Sequence, residues 1–118
     1  QDSSALAGAM EDTAPDTIFG KIIRKEIPSA IVYEDELCLC FKDVNPQAPV
    51  HMLVIPKDRA GLTGISKATA GVHEAVLGHM MVQAGRLGKE HCPSGFRLTV
   101  NDGEEGGQTV YHLHIHIM

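Results

Sequence analysis

An α+β fold, with a five-stranded antiparallel sheet and two helices, is what this sequence predicts. Three observations carry that prediction. Apolar residues alternate with period two, or run on unbroken, in five short segments bounded by turn residues. The links within the first and last strand pairs are too short for the crossover that parallel strands need. Only two segments have helical period, one before the strands and one between the third and fourth. A chain of 118 residues can build one real core, so a single domain over 16–118 is expected behind a flexible polar arm at 1–15.

In chain order, Asp16 is placed to cap a helix over Thr17–Arg24, with Ile18, Phe19, Ile22 and Ile23 as its apolar stripe and Pro28 closing the segment. Ala30–Glu34 and Leu37–Lys42 read as strands joined at Asp35-Glu36, an antiparallel hairpin. A turn with Pro46 and Pro49 leads to a third strand, His51–Ile55, ended by Pro56. From a cap at Ser66, Val72, Val76, Met80, Ala84 and Leu87 recur at helical spacing. The glycines of that helix, Gly71, Gly78, Gly85 and Gly88, suggest close packing on a sheet, with both helices expected on one side. His73, His79 and His91 read as surface or helix-end residues. Phe96–Asn101 and Val110–Met118 form the closing hairpin.

Composition removes several function classes. The net charge is −5 with only ten Lys and Arg and no basic cluster, which argues against a nucleic-acid partner. No apolar run approaches the ~20 residues of a membrane helix. The opening residues lack the charged and apolar regions of a secretory signal and the arginines of a transit peptide. Cys38, Cys40 and Cys92 are odd in number and do not resemble a disulfide framework, so a reducing compartment is expected. Cytoplasm or nucleus is the default location, with an organelle left open.

The chemistry concentrates at the end. His112, His114 and His116 alternate with Leu113, Ile115 and Ile117, so on a strand the histidines share one face, about 6.6 Å apart. The glycine-rich loop Asn101–Thr109 feeds that row, and its amides and the Thr109 hydroxyl suggest an oxyanion site. Four readings fit the row, with His51 as a fourth participant: structural histidines, a zinc site, a nucleophilic imidazole attacking phosphorus, and a nucleotide-binding module without catalysis. With a reference pKa of about 6.5, a neutral imidazole is available near pH 7.

The run His112-Leu-His114-Ile-His116-Ile117-Met118 resembles the histidine triad signature. Asp16-Thr-Ile-Phe-Gly-Lys-Ile-Ile-Arg-Lys-Glu-Ile-Pro28, Pro46-Gln-Ala-Pro-Val-His51 with Leu53-Val-Ile-Pro-Lys57, and Gly106-Gly-Gln-Thr-Val-Tyr-His112 are similar to its histidine triad nucleotide-binding (Hint) branch. The resemblance implies a purine nucleoside phosphoramidase that hydrolyses adenosine 5′-phosphoramidates and aminoacyl-adenylates to AMP, without metal or cofactor. It implies His114 as the adenylylated nucleophile and His116 at phosphate and leaving group. His112 and His51 would orient the nucleophile, and Asn101, Gly107, Gln108 and Thr109 would line the phosphate. Asp43 would hold the ribose hydroxyls, while Ile18, Phe19, Ile22, Phe41, Val44 and Leu53 would wall the purine. A homodimer with one continuous sheet is implied too, the second helix contributing Met80 and Met81. A dinucleoside polyphosphate hydrolase of the same superfamily, and a nucleotide-binding regulatory or scaffold protein, are the alternatives. The family's Trp-Pro-Pro-Gly-like segment beyond the triad has no counterpart in this sequence, which leaves leaving-group preference open.

Overall fold

Two helices sandwich one sheet, and the alternation of the central strands is why. The computed structural model describes residues 12–118. Strands β1 (Ile31–Glu34), β2 (Cys38–Lys42), β3 (Met52–Pro56), β4 (Leu98–Thr99) and β5 (Ile115–Ile117) form a sheet in the order β1-β2-β3-β5-β4. Every neighbouring pair is antiparallel. In β2 and β3 both faces are apolar. Cys38, Cys40, Met52 and Val54 join one core with Met80, Ala84 and Leu87 of helix α2 (Glu74–His91). Leu39, Phe41, Leu53 and Ile55 join another with Phe19 and Ile22 of helix α1 (Ile18–Ile23). The helices therefore lie on opposite faces, not on one side as the element order suggested. A strand that is apolar on both faces needs a cover on each.

Local chemistry moves several boundaries. Thr17, not Asp16, caps α1, its hydroxyl accepting from the Phe19 and Gly20 amides. Asp16 instead pairs with Arg24, and a Cβ at position 20 would sit 2.2 Å from its carboxylate. The long helix does not begin at Ser66. A single 3₁₀ turn occupies Ile65–Lys67, Gly71 takes φ 81°, and α2 starts only at Glu74. Between them His73 is buried, its ring accepting from the Thr69 amide and donating to the Ala60 carbonyl. It is a core residue, not a surface one. Of the helix glycines only Gly88 packs tightly, under the Phe96 ring, while Gly78 and Gly85 face open space.

The closing hairpin forms as expected, Leu98 opposite Ile117 and Thr99 opposite His116. Regular pairing covers only Ile115–Ile117, so His112 and His114 sit on the extended approach to β5. Of the arm expected over 1–15, the described part is held by Arg59. Its guanidinium donates to the Asp12 carboxylate and to the carbonyls of Ala14 and Pro15. The rest lies outside the described residues.

Candidate active site

Because Leu113, Ile115 and Ile117 belong to the α2-side core, the alternating histidines turn to the α1 side. Phe19 of α1 stands edge-on to His114, with ring centroids 5.0 Å apart, and to Phe41 at 5.3 Å. The His114 and His116 rings are 4.9 Å apart, and His116 is 5.1 Å from His51. Burial holds the triad neutral. It pushes His112 down to about 4 and lowers His114 as well. His116 also falls to about 4, through burial and then the neighbouring His114 and His51 rings.

A neutral imidazole has one N–H and one lone pair, and the surrounding backbone assigns them. The His112 carbonyl lies 2.8 Å from Nδ1 of His114, so that nitrogen carries the proton and Nε2 keeps its lone pair. The Pro56 carbonyl at 2.8 Å likewise places the His112 proton on Nε2. The Gln47 amide donates to Nδ1 of His51 at 3.0 Å, which puts the His51 proton on Nε2. That N–H points at Nδ1 of His116, 2.8 Å away. His116 must then hold its own proton on Nε2. The row presents one lone pair, at His114, beside one N–H donor, at His116.

Both rings open into a cleft of about 300 Å³. All six expected purine-wall residues line it: Ile18, Phe19, Ile22, Phe41, Val44 and Leu53, together with Asp43 and Thr109. Asp43 has a local duty too, its Oδ1 accepting from the Asn45 amide at 2.9 Å while Oδ2 lies 3.4 Å from Nε2 of His51. Ile27, Pro28, Ser29, Asn45 and Val110 also line the cleft and were not foreseen. They sit in turns whose sequence says only where the chain bends. Ser29 Oγ is buried with no hydrogen-bond partner, a state that costs about 1–3 kcal/mol until something satisfies it. A larger cavity of about 540 Å³ adjoins across Ile18, Thr109 and Val110. It does not touch the histidines, so the chemistry belongs to the smaller cleft.

Five of the expected site residues make the following contacts in the structure. His51 hydrogen-bonds His116: Leu53 pairs with His116 across the sheet, and His51 lies two residues before Leu53. His112 orients His114 through its backbone carbonyl, its own ring being spent on Pro56. Gln108 does not line the cleft. Its buried side chain accepts from the Gly103 amide and donates to the carbonyls of Thr63 and Val110, bracing the loop. The amides of Gly106, Gly107 and Gln108 all close turns within that loop, on the carbonyls of Gly103 and Glu104. Gly107 (φ 85°) and Asn101, which donates to the Gly106 carbonyl, shape the loop as well. Of the five residues expected at the phosphate, Thr109 and His116 line the cleft.

Two trios of described residues bring potential metal-ligand atoms within 4.8 Å of one another: Asp43, His51 and His116 here, and Asp35, Cys38 and His79 elsewhere. In the first, the facing ring nitrogens already share a proton along the 2.8 Å bond fixed by Gln47.

A family model described as the HIT domain matches residues 24–118. An uncharacterized HIT-like protein of Synechococcus elongatus is 56% identical over 104 residues, which is 87% of this chain and 89% of that protein. A 14 kDa zinc-binding protein of Brassica juncea is 53% identical over 104 residues, covering 87% of this chain and 91% of its own length. The Arabidopsis thaliana protein named Adenylylsulfatase HINT1 is 49% identical over 116 residues, 98% of this chain and 77% of that one. Among solved structures, a HIT family hydrolase from Clostridium thermocellum superposes with TM-score 0.82 at 37% identity, covering 90% of this chain and 91% of that chain.

Proposed function

This chain belongs to the HIT domain family, and within it we propose a purine nucleoside phosphoramidase that releases AMP through an adenylyl-histidine intermediate. The single observation that carries the reading is the pairing of tautomers in the row. His114 Nε2 offers a lone pair toward the cleft because Nδ1 is tied to the His112 carbonyl. His116 Nε2–H offers a donor because Nδ1 is tied to His51. His114 attacks phosphorus, an N–P bond forms, the substrate P–N bond breaks, and the nitrogen departs as an amine with the His116 Nε2 proton. Water then attacks the phosphorus and returns a proton to His116, splitting the N–P bond and freeing AMP. His116 donates a hydrogen bond to the phosphate and leaving group, with Thr109 beside it. The base lies among Ile18, Phe19, Ile22, Phe41, Val44 and Leu53, and Asp43 receives the ribose hydroxyls. The adjoining cavity leaves room for a bulky leaving group. The reaction needs no metal or other cofactor.

Adenylyl transfer to a histidine serves other leaving groups equally well. The name of the Arabidopsis relative makes adenylyl sulfate a second substrate to test. Comparing kcat/KM for adenosine 5′-phosphoramidate, adenylyl sulfate and diadenosine tetraphosphate separates the readings. The phosphoramidate is expected to lead after exhaustive chelation as well as before. A preference for the dinucleotide would move the chain to the polyphosphate hydrolases. AMP binding with no turnover of any of the three would make it a regulatory module.

The proposed homodimer would use the outer face of α2. Met80 is fully buried in the chain's own core, while Met81 is exposed and available to that interface, with exposed Val82 beside it. Sedimentation of the protein at micromolar concentration checks this.

A further inference from the structure

Away from the histidine cleft, the tip of the β1–β2 hairpin meets the middle of α2 through a compact polar cluster. Asp35 Oδ2 receives the His79 Nε2–H at 2.6 Å, the Tyr33 hydroxyl at 2.8 Å and the Cys38 thiol at 3.8 Å. Its other oxygen caps the turn, accepting from the Leu37 and Cys38 amides at 2.8 Å each. Asp35 is thereby fixed as an anion: burial opposes its charge, but these hydrogen bonds, His79 first, hold the carboxyl well below its usual range. The Cys38 thiol is fully buried at the end of the core, and burial followed by the Asp35 charge pushes it up to about 12. An anion, a thiol and an imidazole converge where a helix meets a turn, and nothing in the proposed reaction uses them.

We propose that Asp35, Cys38 and His79 bind one zinc ion that pins the β1–β2 turn to α2. The donor atoms all lie within 4.8 Å of one another. Zinc–ligand distances of 2.0–2.3 Å give a tetrahedron with edges of roughly 3.3–3.6 Å. The S···O separation of 3.8 Å is close to that edge, and the N···O separation of 2.6 Å needs to open by less than about 1 Å. His79 and Asp35 are partly exposed, so the ring can move outward and a water can complete the fourth position.

Binding converts the Cys38 thiol to a thiolate and releases that proton. His79 gives up its Nε2 proton and takes one at Nδ1 from solvent. The thiolate and carboxylate together neutralise the 2+ ion, which removes the cost of burying a net charge. The thiolate also separates this trio from the one in the cleft. Asp43, His51 and His116 offer no sulfur, and zinc bound there would break the hydrogen bond that sets the His116 tautomer.

Cobalt(II) titration of the full chain tests the assignment, because a thiolate on cobalt gives a near-ultraviolet charge-transfer band. One equivalent is expected to produce that band, with zinc displacing the cobalt. The band should vanish in Cys38→Ser and survive in Cys92→Ser and His51→Asn. Cys38 is a core residue, so the companion variant is His79→Gln, on the accessible side. It should weaken zinc at least tenfold and abolish the rise in Tm that zinc confers, while phosphoramidate turnover stays as in wild type. No thiolate band at saturating cobalt would overturn the proposal. So would binding that is unchanged in His79→Gln and lost in His51→Asn. Neither outcome depends on which substrate the cleft hydrolyses.

Discussion

The two faces of the sheet are built from the same strands by the same alternation, yet one is closed and the other open. On the α2 face Met52, Val54, Leu113, Ile115 and Ile117 pack against an eighteen-residue helix with no polar side chain among them. On the other face α1 has only six residues and covers Leu53 and Ile55 without reaching across the triad. The uncovered strip is the cleft. A long helix completes a core, whereas a short one leaves a slot whose wall is half core residue and half binding residue. The closing segment thus carries core residues on its odd-numbered side and, under the proposed function, the reacting groups on its even-numbered side.

The sharpest way to break that division is to truncate one residue from each side of the closing segment. His114→Ala should lower kcat by about 10⁴-fold or more and eliminate any adenylyl-enzyme seen by mass spectrometry, while the denaturation midpoint changes little. Its counterpart is Ile115→Ala, which empties a site only 2% exposed in the α2-side core. That change should cost about 2–5 kcal/mol in urea unfolding and leave kcat of the folded fraction nearly intact. If His114→Ala unfolds the protein, or Ile115→Ala abolishes turnover without loss of stability, the two faces do not divide the work.

A smaller effect distinguishes the faces by pH. In the folded protein His112 titrates near 4 instead of 6.5, so between those values the unfolded chain binds the extra proton. Stability must therefore rise with pH through this window. The contribution of His112 is full above 6.5, is lost progressively toward 4, and amounts to about 3 kcal/mol. His116 adds in the same direction. Urea midpoints at pH 7.5 and 4.5 measure the loss. His112→Gln should flatten the dependence, whereas truncations on the α2 face should shift both midpoints together. For the same reason the acid limb of kcat/KM should lie below 6.5.

Much of this was legible because period-two patterns survive without tertiary information. Leu113, Ile115 and Ile117 had to face one way and the histidines the other, and the hairpins could be placed from their turn residues. The cleft wall was legible through the resemblance of the α1 segment and the Pro46–Lys57 block to a known family. The α2 boundary was not, since Ser66 looks like a cap until the His73 ring is seen taking the Thr69 amide and Gly71 is seen in the left-handed region. The bracing contacts of Gln108 were not legible either, because its carbonyl partners, Thr63 and Val110, are fixed only by the folded loop.

By itself the sequence determined the strands, the face that the histidines share and the residue types available for catalysis, because these depend on neighbours along the chain. Only the tertiary structure decided which nitrogen of the His112 and His116 rings carries a proton. That choice rests on the Pro56 carbonyl, fifty-six residues from His112, and on His51, sixty-five residues from His116 in the chain. Hydrogen bonds between distant segments have no signature in local spacing. They turn a row of three like side chains into one lone pair and one donor.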